Sequence, residues 1–252
     1  MGRRGEAGGS RSDDVGSLGS RAGNAGGRPI PVNVPRLHVI CPDGELERVD
    51  ALGRVTSLLE AGGGSVAVHL RPRSVPPLRC LELARDLVPR AAGMGGWIVV
   101  NGRTDIARVA GAHAVQLGRG SLPIGAARRV LDRSCAIGVS VHGPETCREA
   151  SALGADYLLL GTIFPTPSHP GMPAAGVELI ASCADAGPPV IGIGGIDVES
   201  IDAVSSAGAY GVAVIRAVWQ SEDPAAAVER LVRALERWTG ASGSSHAGEA
   251  RV

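Results

Sequence analysis

Residues 189–196, PVIGIGGI, decide the fold. A glycine-rich turn after an apolar strand belongs to two architectures. In an open doubly wound sheet it follows the first strand as a dinucleotide fingerprint, G-x-G-x-x-G. In a (β/α)8 barrel it follows the seventh strand and holds a phosphate through backbone N–H groups. Here the third glycine of the fingerprint is missing, and six strand-like runs come first. They are RLHVI (36–40), SVAVHLR (65–71), WIVVN (97–101), HAVQLG (113–118), CAIGVS (135–140) and DYLLLG (156–161). An eighth, YGVAVI (210–215), follows. Each leads into a turn and a helix-like stretch, as in ELERVDALGRVTSLLE (45–60) and PPLRCLELARDLVPRAAG (76–93). Continuous apolar strands suit a parallel sheet buried on both faces. The pattern predicts an α/β fold, a single (β/α)8 TIM barrel over residues 34–239.

Composition narrows the function. The 252 residues are 44% hydrophobic, enough for one sizeable core. Basic and acidic residues balance at 25 each, and aromatics make up 2%. That leaves no overall field to recruit nucleic acid or an anionic membrane, and little surface for base stacking. No apolar run approaches the ~20 residues of a membrane span. Cys41, Cys80, Cys135, Cys147 and Cys183 have no paired spacing and read as reduced thiols, so a cytoplasmic location is expected. Residues 1–33 and 240–252 are rich in Gly, Ser and other small or polar residues and are expected to be disordered tails. The chain contains no lysine, so Schiff-base chemistry and lysine-bound pyridoxal phosphate are excluded.

In a barrel, chemistry gathers at the C-terminal ends of the strands. Read in order, these carry Cys41 and Asp43, Arg71 and Arg73, Asn101, Gln116, then Ser140 and His142. The later strands bring Gly161 and Thr162, then Gly194 and Gly195, then Ile215 and Arg216. Period-two alternation sets His69 on the face of Arg71, and Ser140 on that of His142. His69 lies lower on its strand, as an interior residue satisfied by neighbours, while His38 and His113 sit near strand starts, the wrong end for catalysis. Only Asp43 places a carboxylate close to a strand end, so no metal site is expected. Gly194, Gly195, Ile215 and Arg216 occupy the place where barrels hold phosphate. The long sixth loop, GTIFPTPSHPGMPAAG (161–176), offers Thr162, Thr166, Ser168 and His169 as ligand donors. His142 stands open between a catalytic imidazole and a strand-end residue bonded to a neighbouring carbonyl.

The motifs HLRPRS (69–74), VNGRTDIA (100–107), AVQLGRGSLP (114–123), IGVSVHGPE (137–145), GADYLLLGTIFPTPSHPG (154–171), VIGIGGI (190–196) and AGAYGVAVIRAVW (207–219) occur in order. On them the chain resembles the thiamine phosphate synthase superfamily, which includes the TenI-type thiazole tautomerases. The resemblance covers about residues 36–220 and implies a phosphate-binding barrel serving the thiazole side of thiamine biosynthesis. Synthases carry NDR and HLGQ-x-D motifs whose aspartates bind the Mg²⁺ of the pyrimidine diphosphate. Here Gly102 and Ser121 stand at those two positions, Gln116 replaces the histidine, and Arg73 and His169 replace family lysines. NGR, VQL and SVH are similar to the TenI branch, whose SVH histidine is implicated in catalysis.

The resemblance therefore implies an isomerase that aromatises a carboxythiazole phosphate without metal or cofactor. In that reading His142 is both base and acid, and Arg71 with Arg73 holds the substrate carboxylate. Asn101 and Gln116 orient the ligand, alongside Ser140, Thr162, Thr166, Ser168 and His169. Gly194, Gly195, Ile215 and Arg216 take the phosphate. Three alternatives remain open. One is a thiamine phosphate synthase joining hydroxymethylpyrimidine diphosphate to thiazole phosphate, its cation recruited through Asp43. Another is a non-catalytic ligand-binding or regulatory protein. The third is a different phosphosugar isomerase on the same scaffold. The expected partner is the small thiazole phosphate, with no nucleic acid and no membrane, and a homo-oligomer is left open.

Overall fold

A computed structural model describes residues 34–166 and 174–242, the side chains of 239–242 excepted. Both expected tails, apart from residues 240–242, lie outside the described residues, as do Ser168 and His169 of the sixth loop. The strands are β1 (Leu37–Cys41), β2 (Val66–Leu70), β3 (Trp97–Asn101), β4 (Ala114–Leu117), β5 (Ala136–Val141), β6 (Tyr157–Leu160), β7 (Val190–Ile193) and β8 (Gly211–Val214). Helices α1 (Asp43–Leu46) and α2 (Ala51–Gly62) follow β1, α3 (Pro77–Gly93) follows β2, and α4 (Thr104–Ala110) follows β3. Next come α5 (Ile124–Val130), α6 (Pro144–Ala152), α7 (Glu178–Ala181) and α8 (Ile201–Ser206), one after each of β4 to β7. After β8 come α9 (Arg216–Trp219) and α10 (Pro224–Ser242). The eight strands form one closed, all-parallel barrel in sequence order. That is the (β/α)8 architecture. No helix among the described residues is long and apolar enough to cross a membrane.

Strand alternation sorts side chains into two cores. Outward residues such as Val66, Val68 and Leu70 of β2, or Leu158 and Leu160 of β6, pack under the helices. Inward residues Ile40, Ala67, Val99, Ala114, Tyr157, Leu159, Ile191 and Ala213 fill the barrel with Val34. Three of these interior residues are alanines, and the largest is the buried Tyr157. Its ring enters because β5 carries Gly138 opposite, where a Cβ would overlap the ring and Gln116 Oε1.

The barrel closes along β1 and β8, with Leu37 facing Val212 and Val39 facing Val214. Arg36 clamps this seam. Its carbonyl accepts from Val212 N–H at 2.8 Å, its Nε donates to the Tyr210 carbonyl at 2.7 Å, and its Nη1 donates to the Leu235 carbonyl at 3.1 Å. The guanidinium lies 5.6 Å from the Tyr210 ring centroid and 5.4 Å from that of Trp238. Gly211 makes the approach feasible, since a Cβ there would overlap the Arg36 carbonyl.

Two histidines are buried on the barrel axis. His38 Nε2 lies 2.8 Å from the Pro35 carbonyl, and His38 Nδ1 lies 2.8 Å from His69 Nε2. His69 Nδ1 lies 2.9 Å from Asn101 Oδ1. Burial pushes His38 down to about 4, its bond to Pro35 only partly offsetting this. His69 is held well below the usual imidazole range by burial first, then by its neighbours His38 and Arg71. Both are neutral in the fold at neutral pH.

Two stability measurements follow from this interior. The Tyr157 hydroxyl is buried and has no hydrogen-bond partner among the described residues. Tyr157→Phe should therefore stabilise the protein by about 1 kcal/mol, raising Tm by ~2–4 °C; a fall would show that the hydroxyl is bonded. The histidines add a pH dependence. Their folded pKa values lie below the unfolded ~6.5, so the unfolded chain binds more protons and stability falls as pH drops through 6.5 towards 4. The slope approaches ~1.4 kcal/mol per pH unit per histidine. Denaturant unfolding at several pH values should show it, and His69→Gln should make it shallower.

Candidate active site

Parallel closure brings every strand's C-terminal end to one rim, and a run of contacts links the candidate residues strand by strand. Arg71 continues β2, its N–H donating to the Cys41 carbonyl at 3.1 Å. Its guanidinium is half-buried, and neither it nor that of Arg73 lies within ion-pair distance of a carboxylate among the described residues. Burial, and then the charge of Arg73, pull the Arg71 pKa down, with Asp43 acting the other way. The end of β2 is thus a locus of incompletely neutralised positive charge, suited to a multivalent anion.

Asp43 fixes the path of this segment. Its Oδ1 accepts from Arg73 N–H at 2.7 Å, and its Oδ2 accepts from Ser74 N–H at 3.1 Å and Ser74 Oγ at 2.8 Å. Burial works against the carboxylate, but these bonds more than offset it and lower its pKa. Asp43 is a loop anchor, which sequence reading missed because its partners are backbone groups about 30 residues downstream.

Asn101 ends β3 and stands in register with Gln116 of β4. Gln116 is buried, and its Nε2 donates to Ser140 Oγ of β5 at 3.0 Å. Its Oε1 is buried without a partner among the described residues. His142 lies exposed just past β5, its Nδ1 2.7 Å from the Gly161 carbonyl. A carbonyl only accepts, so Nδ1 carries the hydrogen and Nε2 is left bare in the neutral ring. His113 is structural: its Nδ1 accepts from Ile98 N–H at 3.1 Å, and its ring stacks on Trp97.

The neck of the sixth loop is tied on both sides. Thr162 and Ile163 carbonyls accept from Ala175 and Gly176 N–H at 3.1 and 3.0 Å, while Ile163 and Phe164 N–H donate to the Ile193 and Gly194 carbonyls at 3.0 and 2.9 Å. Gly194 and Gly195 have φ of 108° and 66°, a region that favours glycine. A Cβ on Gly194 would lie 2.6 Å from Thr162 Cγ2, and one on Gly195 would lie 2.7 Å from Phe164 Cβ. The glycines are thus required by the turn and by the loop pressed on it. Ile215 caps α9, which begins at Arg216, and Trp219 Nε1 donates to the Ile40 carbonyl at 2.8 Å, pinning α9 to β1. Sequence reading did not single out this tryptophan.

The residues present do not fit a carboxylate-held Mg²⁺. No group of three metal-ligating side chains occurs among the described residues. Position 102 is a glycine at φ 73°, and at position 121 the serine hydroxyl accepts from Gly118 N–H at 3.0 Å. Asp43 is already engaged on both oxygens.

The chain matches the family model described as thiamine monophosphate synthase over residues 37–218. It is 37% identical over 208 residues to a thiamine-phosphate synthase of Mycobacterium bovis, covering 78% of this chain and 93% of that one. It is 36% identical over 205 residues to one of Salinispora arenicola, covering 79% and 97%. Among solved structures, thiamine phosphate pyrophosphorylase from Pyrococcus furiosus superposes with a TM-score of 0.72 at 31% identity, covering 81% of this chain and 96% of that one.

These relatives correct the tautomerase expectation. The superfamily resemblance stands, but the named relatives are synthases, which are transferases, so the isomerase reading is withdrawn. The error has a physical origin. Replacing two acids removes protein ligands for a cation but leaves the barrel, the arginine pair and the glycine turn in place, and the short motifs NGR, VQL and SVH do not outweigh that likeness. Taken over 182 residues of sequence and a superposable barrel, the chain belongs to the thiamine monophosphate synthase family.

Proposed function

We propose that the chain is a thiamine-phosphate synthase, joining hydroxymethylpyrimidine diphosphate to thiazole phosphate with release of diphosphate. The observation that carries this reading is the identity of 36–37% to proteins of that name across more than nine-tenths of their length. The chemistry of the rim is compatible with it. Such a reaction brings two anionic substrates together, and the rim has two places for anions. Arg71 and Arg73 after β2 would take the diphosphate. Gly194, Gly195, Ile215 and Arg216 after β7 and β8 would take the phosphate.

The thiazole ring nitrogen attacks the pyrimidine methylene, forming a C–N bond as the C–O bond to diphosphate breaks. The electron pair of that bond leaves on the diphosphate. Negative charge thus grows where the arginines stand, and with no protein carboxylate pair to hold a cation there, the guanidiniums carry that stabilisation. Arg71 is the stronger candidate because it is half-buried, where a charge interaction is screened less than at an exposed site. We assign substrate contacts between the two anion sites to Asn101, Gln116, Ser140, Thr162 and Thr166, together with Ser168 and His169. His142, its Nδ1 given to Gly161, keeps Nε2 for a ligand.

Purified protein supplied with both substrates and Mg²⁺ should produce thiamine phosphate, read by fluorescence after oxidation to a thiochrome, with one diphosphate released per product. Binding without turnover would overturn the proposal. Arg71→Ala should lower kcat/KM by ~10²-fold or more, as loss of a charge-stabilising donor does. A variant within about threefold of the parent would remove Arg71 from the leaving-group site.

A further inference from the structure

The hydrogen-bond chain beneath the rim fixes the polarity of Asn101. The Pro35 carbonyl can only accept, so His38 Nε2 carries a hydrogen. A neutral His38 then has a bare Nδ1, and His69 Nε2, 2.8 Å away, must donate to it. A neutral His69 in turn has a bare Nδ1, so the amide atom 2.9 Å from it must also donate. The structure sets Asn101 Oδ1 at that place, where two acceptors would face each other, so a half-turn of the amide is needed to bring Nδ2 there and send Oδ1 the other way. Oxygen and nitrogen of an amide exchange by a half-turn, and hydrogen positions decide between them.

The opposite orientation, with Oδ1 on His69, requires one more proton on the imidazole pair. The surroundings oppose that proton. Both rings are fully buried, the aromatic face beside His38 belongs to Tyr157, and the charged side chain acting on His69 is the cationic Arg71.

We propose that His38 and His69 are positioning residues that turn the Asn101 amide so that Oδ1 faces the barrel mouth. Asn101 then accepts a hydrogen bond from an N–H donor on the ligand, an exocyclic amine of a heteroaromatic ring, and does not hold a phosphoryl oxygen through Oδ1. The anion sites and this acceptor divide the rim, phosphoryl groups to the guanidiniums and an amine to the Asn101 carbonyl. The inference rests on the synthase reading, in which the amine belongs to the pyrimidine substrate.

The test uses the full chain labelled with ¹⁵N. Long-range ¹H–¹⁵N correlation at pH 7.5 should show His38 and His69 neutral, each with its hydrogen on Nε2, and His69→Gln identifies the His69 signals by their loss. A hydrogen on His69 Nδ1 overturns the proposal whether or not the protein turns over substrate. Asn101→Asp removes the donor and should draw a proton onto His69 Nδ1; unchanged histidine shifts would mean that Oδ1 already faced His69. Kinetics supply an independent arm. His69→Gln preserves polarity, its Nε2 donating to His38 and its Oε1 accepting from Asn101, whereas His69→Leu breaks it. His69→Leu should raise KM for the pyrimidine diphosphate about tenfold with KM for thiazole phosphate unchanged, and His69→Gln should restore it to within about threefold. Equal effects of the two variants, or equal shifts in both KM values, overturn the proposal. Absence of turnover in the parent protein would instead count against the synthase reading, and the spectra would still decide the orientation of Asn101.

Discussion

Closure along the β1–β8 seam is the constraint on which the rest depends. Eight short parallel strands expose an unpaired edge at each end unless the first meets the last. The seam is held by backbone pairing and by one side chain, Arg36, whose guanidinium reaches the carbonyls of Tyr210 and Leu235 and lies over two aromatic rings. Gly211 lets the two backbones meet, and the Tyr210 hydroxyl donates back across the seam to the Val34 carbonyl at 2.7 Å. Only when this ring is shut do Arg71, Asn101, Gln116, Ser140 and His142 stand on one rim with the turn at Gly194 and Gly195.

The same closure leaves a narrow interior that alternation must fill. Alanines at 67, 114 and 213 keep the lower barrel small, and Tyr157 with the two histidines takes the remaining space. Polar groups at such a depth are stable when bonded and neutral. The histidines meet both conditions through one line of bonds from Pro35 to Asn101. The barrel floor is thereby connected to the rim by hydrogen-bond direction as well as by packing.

The strands were legible because each of the eight is a short continuous apolar run set between a turn and a helix-like stretch. The rim candidates were legible for the same reason: a strand's end identifies them without reference to other strands. What lay beyond reach was pairing across strands. That His38 meets His69, or that Tyr157 enters over Gly138, depends on the stagger between strands, which no single stretch encodes. The anchoring role of Asp43 was hidden likewise, because nothing local shows that the amides of residues 73 and 74 return to it. The enzyme class was misjudged where two replaced acids and three short motifs were set against the whole chain.

The Arg36 seam also bears on how the protein emerges from a ribosome. β1 is made early, yet its partner on one side is β8, with Leu37 waiting for Val212. At roughly 5–20 residues per second, β1 spends ~10–35 s as an open sheet edge before the chain that covers it exists. Nascent chains stalled short of residue 211 would carry an unclosed sheet with adhesive margins at both β1 and the last strand made. For this barrel, completing translation and protecting against aggregation are the same event.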